Sequence, residues 1–456
     1  MLYDTVKEYL KNNIYPFHMP GHKHNASFLP QDLLSLDMTE IPGLDNLYNA
    51  EGVIRFDQEK TAAIYGADTC LFSVNGSTAG IIASICSACA EGESLLLARN
   101  SHISAFSGLV FSGARPVYLY PDVTAYGLYG GINPAYLKQM LGAHPECRAV
   151  FITNPTYEGF VSDIEKIAGY VHSLGKLLIV DEAHGAHFPF HGIFPEPAIR
   201  LGADIAITSP HKTLPALTQS ALILVKDGRA DIERLKFFAG ACQTSSPSYI
   251  IMSVMDYIFD FLSQHTEIFN AYANRLISAR GALSGLSAFR LIGNEIIGAV
   301  SIYAVDIGKL LFVMTGGLTG SDLAQKLADE HKVQLEMSAG RFALALTSPA
   351  DTDEGLERLI AGIKAIDAAA YGGDKTPRYA LEFNYRADIR ITPRQAVFSE
   401  YERTEPYKGI GKVSADFACA YPPGIPAVAP GELITAEAAR ELSRMNIGYI
   451  KTVKDL

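Results

Sequence analysis

The segment Ile205-Ala-Ile-Thr-Ser-Pro-His-Lys212 holds a lysine where it could act as a nucleophile. The apolar run from Ile205 to Ile207 reads as a buried strand. It ends in Ser209-Pro-His-Lys212, and a second apolar run, Ala221 to Val225, follows. A lysine between two buried strands is poorly hydrated; burial lowers its pKa and frees a neutral amine for attack. Small hydroxyl and imidazole groups beside it could bind an anion. A Schiff-base lysine beside a phosphate site needs this arrangement. Alone, the segment reads more simply as a surface turn with a solvated lysine, so other stretches must decide.

Three of them agree. Ser73-Val-Asn-Gly-Ser-Thr78 turns at Asn75-Gly76 and opens a helix at Ser77 and Thr78. A helix start offers free backbone N–H groups and the positive end of a dipole, which suits a phosphate, although plain N-capping by Ser77 fits as well. Asn100-Ser-His102 follows another apolar run, and a lone histidine opening a helix is commonly a cap. Lys176-Leu-Leu-Ile-Val-Asp181 ends an apolar run in a carboxylate and leads into Glu182-Ala-His184. An acid there is costly unless it meets a cation, and a protonated pyridine nitrogen would be one. An Asp capping the next turn is the structural alternative. The order along the chain, a Gly-Ser-Thr helix start, then a strand-end Asp, then the Ser-x-His-Lys, favours the chemical reading.

These residues need a scaffold. Short runs rich in Val, Ile and Leu recur at 69–74, 94–98, 115–120, 148–153, 176–181, 204–208 and 220–226. Helix-length segments separate most of them. That pattern predicts an α/β fold with a mainly parallel seven-stranded sheet and helices on both faces. Such sheets bind ligands at the carboxyl ends of their strands, where the residues above fall. Residues 53–66 read as a helix closing at Gly66, residues 1–13 as a short amphipathic helix, and 248–290 as long helical segments. The division expected is an N-terminal segment over 1–60, a large domain over 61–290, a small α/β domain over 291–373 and a C-terminal domain over 378–456. Gly372-Gly-Asp-Lys-Thr-Pro377 would link the last two, and Thr435 to Met445 would form a closing helix.

Composition narrows the class. The chain has 456 residues, 48% of them hydrophobic and 19% charged, which is ordinary for a globular protein. A formal net charge of -11 disfavours nucleic acid and anionic membranes as partners. No N-terminal stretch has a signal-peptide pattern and no apolar run is long enough to cross a bilayer, so the cytoplasm is the expected compartment. Cys86 and Cys89 share a Cys-x-x-Cys spacing inside an apolar helix, with no second pair for zinc, and read as core. Pro16-Phe-His-Met-Pro-Gly-His-Lys-His24 is broken by two prolines and a glycine and should lack regular structure. Its three histidines lack the i, i+4 spacing of a helical metal site, so no metal is expected, and the loop should pack near a polar site.

The same segments carry a resemblance. Pro16-Phe-His-Met-Pro-Gly-His-Lys23, Ser73-Val-Asn-Gly-Ser-Thr78, Asp181-Glu-Ala-His184, Ser209-Pro-His-Lys212 and Tyr421-Pro-Pro-Gly-Ile-Pro426 run through almost the whole chain. On them the sequence resembles the Orn/Lys/Arg decarboxylases, pyridoxal 5'-phosphate enzymes of the aspartate-aminotransferase fold (fold type I). It looks like a short form without the N-terminal receiver-like domain of the large members. His24-Asn25 stands where the family often has glycines, which implies a differently shaped entrance loop.

The resemblance implies roles. Lys212 would bind the cofactor covalently, and Asp181 would pair with its ring nitrogen. His102 would stack on one ring face, and Ala183 would pack under the other, beside His184. Ser77, Thr78, Ser209 and His211 would hold the phosphate. It further implies decarboxylation of lysine, arginine or ornithine, a part in polyamine biosynthesis, and at least a homodimer. A basic substrate needs an acid for its distal cation; the candidates are Glu432, Asp45 and Glu40, with Glu432 preferred. Two rivals stand beside this reading. One is another fold type I reaction, an aminotransferase or lyase, for which Arg341 is available to hold a carboxylate. The other is a catalytically silent regulatory homologue, against which the intact Lys212, Asp181 and His102 argue.

Overall fold

A computed structural model describes residues 11–28, 33–370, 386–419 and 424–454. The helix expected over 1–13 falls mostly outside these residues, as do the Gly372–Pro377 linker and most of Tyr421-Pro-Pro-Gly424.

The seven apolar runs form one sheet. Its strands are β1 (Thr69–Ser73), β2 (Ser94–Ala98), β3 (Arg115–Leu119), β4 (Cys147–Thr153), β5 (Leu177–Asp181), β6 (Ile205–Thr208) and β7 (Ala221–Val225). They lie in the order β1-β7-β6-β5-β4-β2-β3. All neighbours are parallel except β7, which runs antiparallel to both β1 and β6. The runs are continuous rather than alternating because both faces are covered. Leu178 and Val180 of β5 join one buried cluster, with Val150, Ile152 and Leu222, while Ile179 joins the other, with Phe151, Ile205 and Ile223. Each such side chain, taken fully from water, contributes about 1.5–3 kcal/mol of gross burial energy.

Helices supply the covering layers. α1 (Val53–Tyr65) ends at Gly66, whose φ of +75° is the left-handed cap that glycine adopts without strain. α2 (Gly76–Ala88) follows β1, and α3 (Ile103–Ser112) follows β2. Two long helices, Tyr249–Gln264 and Thr266–Ala282, lead out of this layer. Beyond them an antiparallel sheet contains Phe289–Leu291, Lys309–Met314, Met337–Ala339 and Phe342–Leu346, backed by helices Gly320–His331 and Asp353–Ala370. The last unit pairs Tyr401–Thr404 with Ile450–Val453 and carries the helix Ala436–Arg444, capped by Thr435.

The N-terminal loop is more ordered than its prolines suggest. Tyr15–Phe17 forms a strand parallel to Val333–Leu335. Pro16 is tolerated there because a short, two-stranded ribbon leaves its missing N–H without a required partner. Lys23 and His24 hold φ values of +51° and +59°, the backbone region that glycine would fill more cheaply. Among the described residues no group of His, Cys, Asp or Glu could hold a metal ion, and no helix is long and apolar enough to cross a membrane.

Candidate active site

Parallel pairing brings the chemical residues to one edge. Register aligns Thr153 of β4 with Asp181 of β5, and Asp181 with Ile207 of β6, so the loops that follow leave the sheet side by side. They open onto a cavity of about 430 Å³. Ser77, Thr78, His102, Asp181, Ala183, His184, His211 and Lys212 all line it. Eight of the nine expected cofactor contacts are therefore together. The ninth, Ser209, is fully buried beside them, and its hydroxyl has no partner among the described residues.

Lys212 sits in a one-turn helix, Pro210–Thr213. Its Nζ lies 3.2 Å from Nε2 of His184. It is accessible where it lines the cavity, and the protein packed around the rest of it lowers its pKa, opposed by Asp181 and Glu336. Asp181 is 4% exposed, and its Oδ1 accepts the N–H of Ala183 at 3.1 Å. Burial pushes this carboxyl up, while Lys212 pulls it down. A cation held against Asp181 would complete that compensation.

Each remaining group has a local cause. His102 caps α3: its Nδ1 accepts Ser104 N–H at 3.2 Å and meets the Ser104 hydroxyl at 2.8 Å. Burial, then Lys212, holds its pKa down at about 4, so a neutral, planar ring faces the cavity. α2 starts at Gly76, with φ +72°, and the side chain of Asn75 in the cap position does not cap the helix but donates to the carbonyl of Cys242 at 3.4 Å. Ser77 is thus inside the helix, not its cap; the N–H of Gly76 goes to the carbonyl of Gln219, and the first-turn N–H groups that follow it are left for another acceptor. His211 has Nδ1 2.8 Å from the carbonyl of Ser220, so Nδ1 carries the proton and donates.

The Pro-Gly-His-Lys loop braces the lysine. Gly21 N–H donates to the carbonyl of His211 at 2.7 Å, and a Cβ on Gly21 would fall 2.5 Å from the carbonyl oxygen of Leu214. Only glycine allows that approach. Lys23 Nζ donates to the carbonyls of His18 and Leu346, at 2.9 and 2.7 Å, and ties the loop to the smaller sheet. Met19 and Pro20 line the cavity, as a loop near a polar site should.

The three acids expected to meet a substrate cation lie elsewhere. Glu432 is 1% exposed and pairs with Arg99 at 3.1 Å, also accepting the N–H of Ala429. Asp45 accepts the N–H groups of Asn46, Glu51, Gly52 and Ile54 and so caps the start of α1. Glu40 is exposed and bonded to Thr39. None of the three lines the cavity. Arg341 does not line it either; its Nη2 donates to the carbonyl of Met314.

Sequence reasoning missed four groups. Glu158 and Glu336 are the cavity's other carboxylates. The ring of Tyr157 packs 4.6 Å from that of His184, and its hydroxyl donates to Glu336. Lys309, 1% exposed, places Nζ 2.6 Å from Nδ1 of His184. A lysine opening the apolar run Leu310 to Val313 was the one available signal, because charge at the head of a buried strand is costly without a partner.

Comparisons with known proteins identify the family. The model of the family described as Orn/Lys/Arg decarboxylase, major domain, matches residues 1–336. The chain is 32% identical to the arginine decarboxylase of Halalkalibacterium halodurans over 461 residues, covering 99% of this chain and 92% of that one. It is 31% identical to the arginine decarboxylase of Bacillus subtilis, covering 98% and 92%. The fold matches the crystal structure of the Francisella novicida lysine decarboxylase LdcF with a TM-score of 0.80 at 20% identity, over 94% of this chain and 76% of that one. The chain has the fold type I architecture, belongs to the Orn/Lys/Arg decarboxylase family and is an amino-acid decarboxylase.

Proposed function

We propose that the chain decarboxylates a basic amino acid, arginine first among arginine, lysine and ornithine, with pyridoxal 5'-phosphate as cofactor. The observation that carries the reading is the convergence of Lys212 and Asp181 on one cavity that His102 and Ala183 also line. The cavity fits the cofactor on its own features. Among the described residues, the buried Ser209 hydroxyl has no partner, α2 begins without a side-chain cap, and the buried Asp181 meets no cation beyond Lys212. Bound there, the cofactor supplies an electron sink for the pair left when carbon dioxide departs.

The protein's part is orientation and charge. Lys212 would be the amine that holds the cofactor, and Asp181 the counter-charge for its ring nitrogen. His102 and Ala183 would bound the ring faces. Ser77, Thr78, Ser209 and His211 would hold the phosphate. Neutral His211 already donates through Nδ1, so gripping a phosphate oxygen through Nε2 requires it to take up a proton. Glu336 and Glu158 replace Glu432 as the acids available to a distal cation. Arginine is favoured because relatives matched over nearly their full length are named arginine decarboxylases. Arg341, committed to Met314, gives no support to the aminotransferase alternative. A homodimer is part of the same reading.

Carbon dioxide release from the cofactor-loaded chain, given arginine, lysine and ornithine separately, tests the proposal. Release from arginine fulfils it. Release from another of the three moves the substrate, and no release from any of them refutes it.

A further inference from the structure

Lys309 is the second lysine of the site, and nothing in the proposed chemistry yet uses it. It reaches the large sheet's loops from the smaller sheet. The reach depends on Gly159, at φ +96°, where a Cβ would fall 2.6 Å from Cγ of Lys309. The buried Lys23 satisfies Nζ with two backbone carbonyls. The hydrogen-bond partner of Lys309 Nζ among the described residues is instead an imidazole nitrogen, His184 Nδ1, at 2.6 Å. The other nitrogen of that ring, Nε2, is 3.2 Å from Lys212 Nζ.

The histidine's chemistry restricts this row of three groups. A neutral imidazole has one N–H donor and one acceptor nitrogen, and an ammonium group has no acceptor. Both lysines therefore cannot be ammonium with their bonds to His184 intact. When Lys309 is the ammonium, it donates to Nδ1, the ring carries its proton on Nε2, and that N–H points at the lone pair of a neutral Lys212. The opposite state follows by shifting two protons. One leaves Lys309 Nζ for Nδ1 while the Nε2 proton passes to Lys212 Nζ; the ring changes tautomer and the total charge is conserved.

We propose that Lys309, acting through His184, sets the protonation of the Lys212 amine: it keeps that amine neutral when its lone pair must attack, and returns a proton when it must be ammonium. This rests on the reading of Lys212 as the cofactor lysine. Lys309 is a positioning residue, since it touches His184 and not the reacting atoms. Its surroundings suit a proton store. Burial lowers its pKa to about 8, within reach of neutral pH, with Asp306, Glu336 and Glu158 opposing the shift and Lys212 adding to it. His184, beneath the ring of Tyr157, is held well below its ordinary value by burial, then by Lys212 and Lys309, and so stays neutral between them.

The test reads Lys212 directly. The cofactor-free full chain is labelled with acetic anhydride across a pH series, and acetylation at Lys212 is followed by peptide mass spectrometry. K309M keeps the apolar stem and removes the cation. Lys212 should then hold its proton to higher pH, and labelling at pH 7.5 should slow by roughly tenfold, equivalent to one pKa unit. K309R, which retains a cation, should return the profile toward wild type, an outcome that loss of packing alone would not give. H184Q breaks the link with Lys309 in place and should shift the profile in the same direction, so it carries the test if K309M does not fold. An unchanged Lys212 profile in folded K309M or H184Q would overturn the inference. Failure of the decarboxylase reading would appear separately, as wild-type protein releasing no carbon dioxide.

Discussion

Arg99 and Glu432 form an ion pair sealed inside the protein, with side chains 6% and 1% exposed and Nη2 and Oε2 3.1 Å apart. Arg99 also donates to the carbonyls of Pro426 and Ala427, at 2.7 and 3.1 Å. The pair thus bolts the C-terminal unit to the end of β2. Breaking a buried pair on one side strands the other charge, at a cost of about 3–5 kcal/mol. E432A should accordingly lower the melting temperature markedly. The KM for the amino-acid substrate should be unchanged in whatever fraction folds, and steady-state kinetics beside a thermal melt checks both halves.

Asp45 makes the same distinction nearer the N-terminus. Its carboxylate gathers five backbone N–H groups at 2.8 to 3.4 Å around the start of α1. D45A should cost about 1–2 kcal/mol, the scale of a lost helix cap, and should leave KM alone. A several-fold rise in KM at unchanged stability would return Asp45 to the list of substrate contacts.

Asp57 should govern part of the pH dependence of stability. Burial, then Asp256, raises its carboxyl from 3.8 to about 6, with Lys60 opposing. The folded state therefore binds this proton more tightly than the unfolded chain. The stability it adds is present below pH 3.8 and is lost as pH rises through about 6. D57N, which cannot ionise, should melt higher than wild type above pH 6.5, and the gain should vanish by pH 4. Parallel melting curves at the two pH values measure it; a gain at pH 4 equal to that at pH 7 would contradict the assignment.

Much of this site was legible because its markers are local. Each strand of the large sheet is a short Val/Ile/Leu run, and a parallel sheet sends the residue after every such run to the same edge, so Asp181 and Lys212 had to be neighbours once their strands were. His102 and Ser77 followed by the same logic, as helix starts after β2 and β1. Long-range partners were not legible. Glu432 meets Arg99 across 333 positions, and nothing beside Glu432 announces a buried cation. The acid in Pro430-Gly-Glu432 looked available because the cation that neutralises it comes from distant chain. Lys309 was hidden differently: its stem fits an apolar strand, and only Gly159, 150 residues earlier in the sequence, shows that room was left for it. Tyr15–Phe17 became a strand because Val333–Leu335 offered an edge, which outweighed the local signals of two prolines.

Three buried or half-buried lysines, Lys23, Lys212 and Lys309, lie within or beside the site, and the proposed chemistry needs the cofactor on one of them, Lys212. The direct measurement is to load the chain with pyridoxal phosphate, reduce with borohydride, and map the modified lysine by peptide mass spectrometry. The adduct should form on Lys212, and K212A should lose it together with all carbon dioxide release. An adduct on Lys309 or Lys23, or turnover by K212A at the wild-type rate, would contradict that assignment.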